Sequence, residues 1–312
     1  MKFAFLFPGQ GAQYPGMGKD FHDQFAVSRE TFEEADDLLG QNFSRLIFEG
    51  PASDLTLTKN SQLAIYIVSM AIWRALAQQF PSIQPAVCAG LSLGEYTALT
   101  VSKKIAFADC LPLVQARAQF MNDACLAHEG SMQVILGLEA RVIEKCIQEI
   151  NPPHLVWVAN LNCPGQVVIA GTKEGLAAGV EALLARGAKR ALPLDVSGAF
   201  HSGLMKEAEM RLRPYLQEVS LHKTAIDCVM NVPGDYVSDL QQIRQFLMEQ
   251  VISPVRWEQG VRRMVDQGIG HFIEMGPGKT LAGMNKRIGV ASPTTSIEKV
   301  ADLEGLSQCI NC

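Results

Sequence analysis

The chain of 312 residues lacks an apolar run long enough to cross a bilayer. Its longest apolar stretch, Leu63 to Trp73, is interrupted by Ser69 and falls short of the about 20 residues that a membrane-spanning helix needs. The apolar N-terminal run Phe3–Phe7 is cut short by Pro8-Gly9, which predicts a first strand rather than a signal peptide. We therefore expect a soluble, cytoplasmic protein with no membrane partner.

The sequence also lacks the cysteine spacing of a metal site or of a disulfide framework. Its eight cysteines are scattered, and Cys309 and Cys312 form a lone CxxC with no second half. Several cysteines lie in apolar runs, as buried thiols do, which predicts a reducing compartment. The formal net charge of −5 argues against general nucleic-acid binding. We therefore expect no metal and no nucleic-acid partner.

Short apolar runs alternate with helix-compatible segments along most of the chain, which is typical of an α/β fold with a mostly parallel sheet. Apolar runs predict strands at 3–7, 86–89, 225–231 and 271–275. Helical spacing of apolar residues predicts helices at about 27–39, 62–79, 94–101 and 107–123. Ser61 is the predicted N-cap of the second helix. The tail after Ile288 shows no clear periodicity.

The middle of the chain changes character, because strands and helices there follow the order βαββαβ. Strands are predicted at 132–136, 155–161, 166–170 and 188–194, and helices at 140–150 and 173–186. The segment Asn162-Cys163-Pro164-Gly165 is typical of a hairpin turn. This order is that of a ferredoxin-like unit. We expect a small subdomain at 126–197, inserted into a larger α/β domain made of residues 1–125 and 198–312.

The segment Gly90-Leu91-Ser92-Leu93-Gly94 lies between a predicted strand and a predicted helix. A Gly-x-Ser-x-Gly at such a turn is typical of a nucleophile elbow, in which the serine adopts a strained backbone conformation. A Cβ two positions away would collide with the adjoining strand or helix, and Gly90 and Gly94 avoid that collision. Ser92 then lies at a helix N-terminus, which favours the negative charge that forms when a serine oxygen attacks a carbonyl. An ordinary turn between two glycines remains the alternative.

A serine nucleophile needs a base, and His201 is the strongest candidate among the six histidines. It lies in a glycine-flanked loop after the last predicted strand of the subdomain, at a junction where clefts form. Asp195 precedes it closely and is a poor triad acid, because acid and base lie on separate loops in α/β-hydrolases. A main-chain carbonyl is the other group that can orient a histidine, and the residues alone do not choose between the two.

Seven segments carry motifs with the spacing of one known family. They are Phe7-Pro8-Gly9-Gln10-Gly11-Ala12-Gln13, Gly90-Leu91-Ser92-Leu93-Gly94-Glu95, Ala116-Arg117-Ala118-Gln119-Phe120-Met121, Asn162-Cys163-Pro164-Gly165-Gln166, Ala199-Phe200-His201-Ser202, Gln250-Val251-Ile252-Ser253-Pro254-Val255-Arg256-Trp257 and Glu274-Met275-Gly276-Pro277-Gly278. In this order they resemble the malonyl-CoA:acyl-carrier-protein transacylases, from Phe3 to about Ile288. The resemblance implies an α/β-hydrolase-like core with an inserted ferredoxin-like subdomain.

The resemblance implies a catalytic role for five residues. Ser92 is the nucleophile that accepts the acyl group, and His201 is its general base and later its acid. The backbone N–H groups of Gln10 and Leu93 form the oxyanion hole. The main-chain carbonyl of Gln250 orients His201, which accounts for the missing triad acid.

The resemblance also implies how the substrate is chosen. Arg117 binds the free carboxylate of malonate, although composition alone favours a salt bridge on a helix surface for this residue. Asn160 and Gln166 support the pocket. Independently of the resemblance, the position of Phe200 next to the base predicts selection of acyl groups by size, with ordinary aromatic packing as the alternative. Leu91 departs from the family, which usually has histidine at this position. We expect catalysis to persist, without the polar contact that a histidine would supply.

The implied reaction moves a malonyl group from coenzyme A to the pantetheine thiol of acyl carrier protein in type II fatty-acid synthesis. It implies no cofactor, because the coenzyme A thioester is the substrate and the partner carries the phosphopantetheine. We expect a monomer. A serine esterase or thioesterase remains open and predicts a separate triad acid, and a non-catalytic docking relative would be expected to lose Ser92 or His201. A free-standing polyketide-synthase acyltransferase shares the chemistry.

Overall fold

The computed structural model describes residues 1–151 and 155–310, so Cys312 of the tail pair lies outside the described residues. Its strands are β1 (Phe3–Phe7), β2 (Pro85–Gly90), β3 (Ser131–Leu136), β4 (Val156–Cys163), β5 (Gln166–Gly171), β6 (Arg190–Pro193), β7 (Asp227–Met230), β8 (Asp235–Tyr236), β9 (His271–Met275) and β10 (Thr294–Ile297). Its longer helices are α2 (Ala26–Leu39), α5 (Thr58–Gln79), α6 (Gly94–Val101), α7 (Phe107–Ala127), α8 (Ala140–Ile150), α9 (Lys173–Ala185), α10 (Lys206–Glu218), α11 (Leu240–Gln250), α12 (Trp257–Asp266), α13 (Thr280–Ile288) and α14 (Asp302–Ile310). Three short helices are α1 (Lys19–Gln24), α3 (Phe43–Glu49) and α4 (Ala52–Thr56). Among these helices, none is both long enough and apolar enough to cross a membrane.

The first sheet has the strand order β10-β9-β1-β2-β7-β8. All neighbouring strands run parallel except β7 and β8, which confirms the predicted α/β fold with a mostly parallel sheet. The central strands β1 and β2 are apolar and mostly buried, as strands covered on both faces are. Because the carboxyl ends of parallel strands meet at one edge, the segments that follow β1, β2 and β7 come together there.

The second sheet has the strand order β4-β5-β3-β6 and is antiparallel throughout. Its helices α8 and α9 cover an apolar cluster drawn entirely from the segment that spans residues 135 to 191. The predicted hairpin turn is confirmed, since Cys163 pairs with Gln166 across Pro164 and Gly165. Gly165 has a φ of 70°, which favours glycine at this turn.

The two sheets are joined beside the end of helix α11. Backbone hydrogen bonds link Leu161 N–H to the Val255 carbonyl at 2.8 Å and Val255 N–H to the Ala159 carbonyl at 2.9 Å. Strand β4 of the second sheet is thereby fixed against the segment that follows Gln250. This junction places the second sheet beside the edge of the first sheet to which β2 and β7 lead.

Two sequence predictions about element boundaries are wrong. Helix α5 begins at Thr58, so Ser61 is a buried interior residue of the helix and not its N-cap. Tertiary contacts hold this first turn, because the hydroxyl of Thr58 lies 2.8 Å from that of Ser197 and accepts a hydrogen bond from Gln10. Helix α7 continues to Ala127, beyond the predicted end at residue 123.

The tail forms structure that its sequence does not predict. Strand β10 pairs with β9 at the edge of the first sheet, and helix α14 follows it. Three of the four residues of β10 are only partly buried, so the strand lacks a long apolar signal. The tail is therefore ordered by its pairing with β9 rather than by its own hydrophobic periodicity.

Candidate active site

Ser92 lies on the sharp turn between β2 and α6, with a φ of 53° that a non-glycine residue rarely adopts. A Cβ on Gly90 would lie 1.9 Å from the carbonyl of Gly94, and a Cβ on Gly94 would lie 2.1 Å from the carbonyl oxygen of Phe7. The predicted steric reason for both glycines is confirmed. Strain of this kind costs about 1–3 kcal/mol and persists only where the surroundings impose it.

His201 lies in the loop after β6 and also has a positive φ, 56°. Its Nε2 is 2.8 Å from the Oγ of Ser92, and its Nδ1 is 2.8 Å from the main-chain oxygen of Gln250. Because a carbonyl oxygen only accepts, Nδ1 carries the proton and Nε2 is free to accept from the serine hydroxyl. Burial, and secondly the charge of Arg117, lower the pKa of His201 to about 4. The resting imidazole is therefore a neutral acceptor.

Arg117 projects from α7 and is only 1% exposed. Its Nη2 donates to the Oγ of Ser92 at 3.1 Å and to the Oε1 of Gln250 at 2.9 Å, while its Nη1 donates to the Oε1 of Gln62. The guanidinium also lies 5.3 Å from the ring centre of Tyr96. Within the described part of the chain, its Nε–H has no hydrogen-bond partner. A buried cation with an unused donor, next to a nucleophile, is suited to hold an anion.

A cavity of about 260 Å³ collects most of the predicted site residues. Eight of the nine line it: Gln10, Ser92, Leu93, Arg117, Asn160, Gln166, Phe200 and His201. The ninth, Gln250, is completely buried behind it. A larger groove of about 480 Å³ opens near Lys2 and Asp227, at the opposite edge of the first sheet, and holds none of these residues. The smaller cavity is therefore the candidate active site.

Two backbone N–H groups beside Ser92 are available to a ligand. In residues 1–151 and 155–310, no protein group accepts a hydrogen bond from the N–H of Leu93 or of Gln10. Leu93 directly precedes α6, where unpaired N–H groups favour negative charge. The side chain of Gln10 donates to Thr58 at 3.3 Å, which ties its loop to α5.

The remaining predicted residues form the walls of the cavity. Asn160 lies on β4, and Phe200, directly before His201, is 7% exposed. Gln166 lies on β5, where its Oε1 accepts from Arg287. Leu91 also lines the cavity and packs partly buried against an apolar cluster, so it adds an apolar wall next to the nucleophile.

The sequence analysis assigned no role to three side chains that touch the predicted residues. Gln62 contacts Arg117. Asn231, directly after β7, accepts from the N–H of Ser92 at 2.7 Å and donates to the carbonyl of Gly90 at 2.7 Å. Glu95, in α6, accepts from the N–H of Asn231 and from the Nε2 of Gln250, both at 2.6 Å. Burial raises the pKa of Glu95 to about 8, against the effect of these hydrogen bonds and of Arg117.

A sequence signal existed for one of the three. Glu95 is the single charged residue of α6, whose eight residues are all buried, and a charge within such a helix indicates a buried partner. Asn231 and Gln62 carry no comparable signal, because their partners come from distant parts of the chain.

Comparisons with known proteins show which proteins the chain resembles. A family model described as an acyl transferase domain matches residues 4–302. The malonyl CoA-acyl carrier protein transacylase of Bacillus subtilis (strain 168) is 40% identical over 304 residues, which cover 97% of this chain and 95% of the relative. The enzyme of the same name from Escherichia coli (strain K12) is 41% identical over 287 residues, which cover 92% of this chain and 93% of the relative.

Solved structures extend the similarity to the fold. An acyl carrier protein S-malonyltransferase from Vibrio cholerae matches with a TM-score of 0.93 and 42% identity, over 98% of this chain and 100% of that chain. A malonyl-transacylase in complex with a type II PKS acyl-carrier protein matches with a TM-score of 0.92 and 38% identity, over 99% and 100%. The chain therefore belongs to the acyl transferase domain family and, within it, to the malonyl CoA-acyl carrier protein transacylases.

Proposed function

We propose that the protein transfers a malonyl group from coenzyme A to the pantetheine thiol of an acyl carrier protein, through an acyl-serine. One observation carries the proposal: the Oγ of Ser92 lies 2.8 Å from the Nε2 of His201 and 3.1 Å from the Nη2 of Arg117. A nucleophile, a neutral base and a buried cation thus meet at one oxygen atom. The full-length similarity to enzymes named for this reaction supports it.

The first half of the reaction acylates Ser92. Its Oγ attacks the thioester carbonyl while its proton passes to the Nε2 of His201. The charge on the imidazole is stabilised by the Gln250 carbonyl, which accepts from Nδ1–H. The N–H groups of Leu93 and Gln10 stabilise the oxyanion, and one such donor contributes about 3 kcal/mol. Coenzyme A leaves as its thiol with the proton from His201.

The second half reverses these roles with a new thiol. The pantetheine thiol of the carrier protein gives its proton to His201 and attacks the acyl-serine, and Ser92 leaves with the proton restored, so the reaction is ping-pong. Transfer has to exceed hydrolysis, and the apolar walls of the cavity, Leu91 among them, limit the access of water to the ester. No step needs a metal or a cofactor beyond the thioester and the pantetheine of the partner.

Arg117 gives the site its preference for a diacid. A planar guanidinium binds a carboxylate through two parallel hydrogen bonds, and burial strengthens the interaction. The malonyl carboxylate would replace protein contacts of Arg117 and use its unpaired donor. Phe200 lines the same cavity and would crowd a methyl group on the carbon between the two carbonyls, and Asn160 and Gln166, which also line it, would support the pocket.

An esterase or thioesterase explains the site less well. That alternative expects a separate acid at the imidazole, whereas Nδ1 of His201 contacts a main-chain carbonyl. It also has no use for a buried arginine at the nucleophile. We therefore assign the protein to malonyl transfer in type II fatty-acid synthesis, and we retain the expectation of a cytoplasmic monomer.

The finer fold assignment belongs to the same proposal. The parallel sheet with its elbow after β2 supports an α/β-hydrolase-like core made of residues 1–125 and 198–312. The strand order β4-β5-β3-β6, with helices after β3 and β5, supports a ferredoxin-like subdomain at 126–197. The separate apolar cluster of this segment supports its treatment as a subdomain.

The transfer reaction is tested by following a labelled malonyl group. Incubation with radiolabelled malonyl-CoA should place one label on Ser92, and addition of holo acyl carrier protein should move it to the carrier. Ser92→Ala and the apo carrier protein are the matched controls and should take up no label. Release of the label as free malonate in the presence of the holo carrier would instead identify a hydrolase.

Replacement of Arg117 tests the carboxylate site. Arg117→Ala should lower kcat/KM for malonyl-CoA, because a buried charge pair is lost. The loss of transition-state stabilisation should be about 2–5 kcal/mol. Acetyl-CoA should be used better relative to malonyl-CoA. Arg74→Ala removes another packed arginine, which pairs with Glu34 outside the cavity, and should leave the ratio unchanged. Equal losses for both acyl groups would reject the role of Arg117.

The lowered pKa of His201 predicts how the protein responds to acid. The usual pKa of a histidine side chain is 6.5. The imidazole of His201 should stay neutral below that pH and gain a proton only near pH 4. The base should therefore act throughout the neutral range. The unfolded chain takes up this proton near pH 6.5 and the folded chain does not. The contribution of the neutral imidazole to the free energy of unfolding is therefore full above pH 6.5 and decreases as the pH falls toward 4.

An NMR titration of the histidine rings between pH 5 and 8 measures this directly. The His201 signals, assigned by comparison with His201→Ala, should show the neutral ring with its proton on Nδ1 over the whole range. A ring that titrates at or above pH 6.5 would contradict the environment described for the base.

Replacement of Phe200 tests size selection. Phe200→Ser should raise the use of methylmalonyl-CoA relative to malonyl-CoA, because it opens space beside the acyl carbon. Phe120→Ser removes an aromatic ring from α7 that packs on Tyr215, and serves as the control. An unchanged ratio in Phe200→Ser would assign the ring to packing alone.

A further inference from the structure

The strained backbone of Ser92 is held by side chains that do not line the cavity. Asn231 bonds the N–H of Ser92 through Oδ1 and the carbonyl of Gly90 through Nδ2. Gln250 donates from Nε2 to the carbonyl of Ser92 at 2.9 Å. Asn231 is 4% exposed and Gln250 is completely buried. Both side-chain amides thus contact the main chain around Ser92 from outside the cavity.

These hydrogen bonds fix the peptide planes on both sides of the nucleophile. Each peptide unit is planar, so its carbonyl and its N–H turn together. Asn231 holds the two units that run from Gly90 to Ser92. Gln250 holds the unit formed by the Ser92 carbonyl and the Leu93 N–H, and so sets the direction of the N–H assigned to the oxyanion hole.

Glu95 is hydrogen-bonded to both Asn231 and Gln250. Its Oε1 accepts from the main-chain N–H of Asn231, and its Oε2 accepts from the side chain of Gln250. It is 1% exposed and lies one helical position beyond Gly94. Each oxygen of this buried carboxyl group accepts one hydrogen bond, and both partners are held in place because a buried donor left without an acceptor is costly.

We propose that Asn231, anchored by Glu95, is a positioning residue that sets the backbone of Ser92 for attack, while Gln250 sets the direction of the Leu93 N–H. This inference rests on the proposed function of Ser92 as the nucleophile. The position calls for an amide, because it needs an acceptor for one N–H and a donor for one carbonyl at the same reach. An aspartate of equal size keeps the acceptor, loses the donor to Gly90 and adds a charge next to Glu95.

The test compares Asn231→Asp and Asn231→Ala with the wild-type protein. We expect kcat for malonyl transfer to fall by about 10- to 100-fold, because a misplaced nucleophile loses its attack geometry. The KM for malonyl-CoA should change less than twofold, since Asn231 does not line the cavity. A fluorophosphonate that labels active serines should react with Ser92 more slowly by a similar factor.

The phosphonate measurement separates this inference from the proposed function. It reads the reactivity of Ser92 without malonate or a carrier protein. If the wild-type protein transferred no malonyl group but Asn231→Asp still slowed labelling of Ser92, the proposed function would fail while the positioning role would stand.

A second buried asparagine provides the matched control. Asn285 is 1% exposed and donates to the Thr294 hydroxyl at 3.0 Å, between α13 and β10. Asn285→Ala should lower thermal stability and leave kcat and the phosphonate rate unchanged. Equal kinetic losses in Asn285→Ala at matched stability would overturn the inference, as would unchanged kinetics in folded Asn231→Asp.

Glu95→Gln decides the question if neither Asn231 variant folds. This variant keeps the size of the side chain but replaces one accepting oxygen with a donor amide. The inference requires a lower kcat and slower phosphonate labelling with an unchanged KM. An increase of KM alone, or no kinetic change, would overturn it.

Discussion

One buried glutamine joins the three groups on which the site depends. The main-chain oxygen of Gln250 accepts from His201, and its side chain accepts from Arg117 and donates to the Ser92 carbonyl. His201, Arg117 and the backbone of Ser92 are therefore all hydrogen-bonded to a single residue at the end of α11. Because that residue is completely buried, a shift of α11 would disturb all three groups at once.

The same glutamine lies between a buried arginine and a buried glutamic acid. Its Oε1 faces the Arg117 guanidinium, and its Nε2 faces the Glu95 carboxyl group, whose pKa burial raises to about 8. Burying an isolated charge is costly, and the amide oxygen that faces the guanidinium offsets part of that cost. A substrate carboxylate would supply the counter-charge that the guanidinium lacks inside the cavity.

The imidazole works under the opposite electrostatic condition. Burial and the nearby guanidinium disfavour its charged form, so the resting base is neutral and ready to accept a proton. In the proposed reaction, the charge that would appear on the imidazole during attack is offset by the oxyanion that would form at the same time. A substrate carboxylate on Arg117 would also weaken the repulsion, so binding of a diacid and activation of the base support each other.

Local patterns in the sequence were sufficient for the elbow, for eight of the ten strands in the described residues and for helices α2 and α5–α9, whereas α10–α14 were not predicted. A Cβ at Gly90 or Gly94 would lie within 2.2 Å of nearby backbone atoms, so only glycine fits at either position. Their spacing therefore identifies the turn. The mostly parallel sheet followed from buried apolar strands alternating with helices. Only the family resemblance singled out Arg117, because a lone arginine in a helix has no local sign of burial.

Long-range contacts set the limit of what the sequence could predict. Asn231 lies 139 positions from Ser92 in the sequence, and no local pattern predicts their hydrogen bond. Helix α5 starts early because Thr58 bonds to Ser197, and β10 forms because β9 offers it an edge. Each of these features depends on a partner that only the folded chain brings near.

The central claim is that Ser92, His201 and Arg117 act on one malonyl group in one cavity. A crystal structure of the protein trapped after reaction with malonyl-CoA tests it most directly. We predict an ester on the Oγ of Ser92, its carbonyl oxygen facing the N–H groups of Leu93 and Gln10, and its free carboxylate hydrogen-bonded to Arg117. An acyl group on another residue, or a carboxylate that points away from Arg117, would contradict the account.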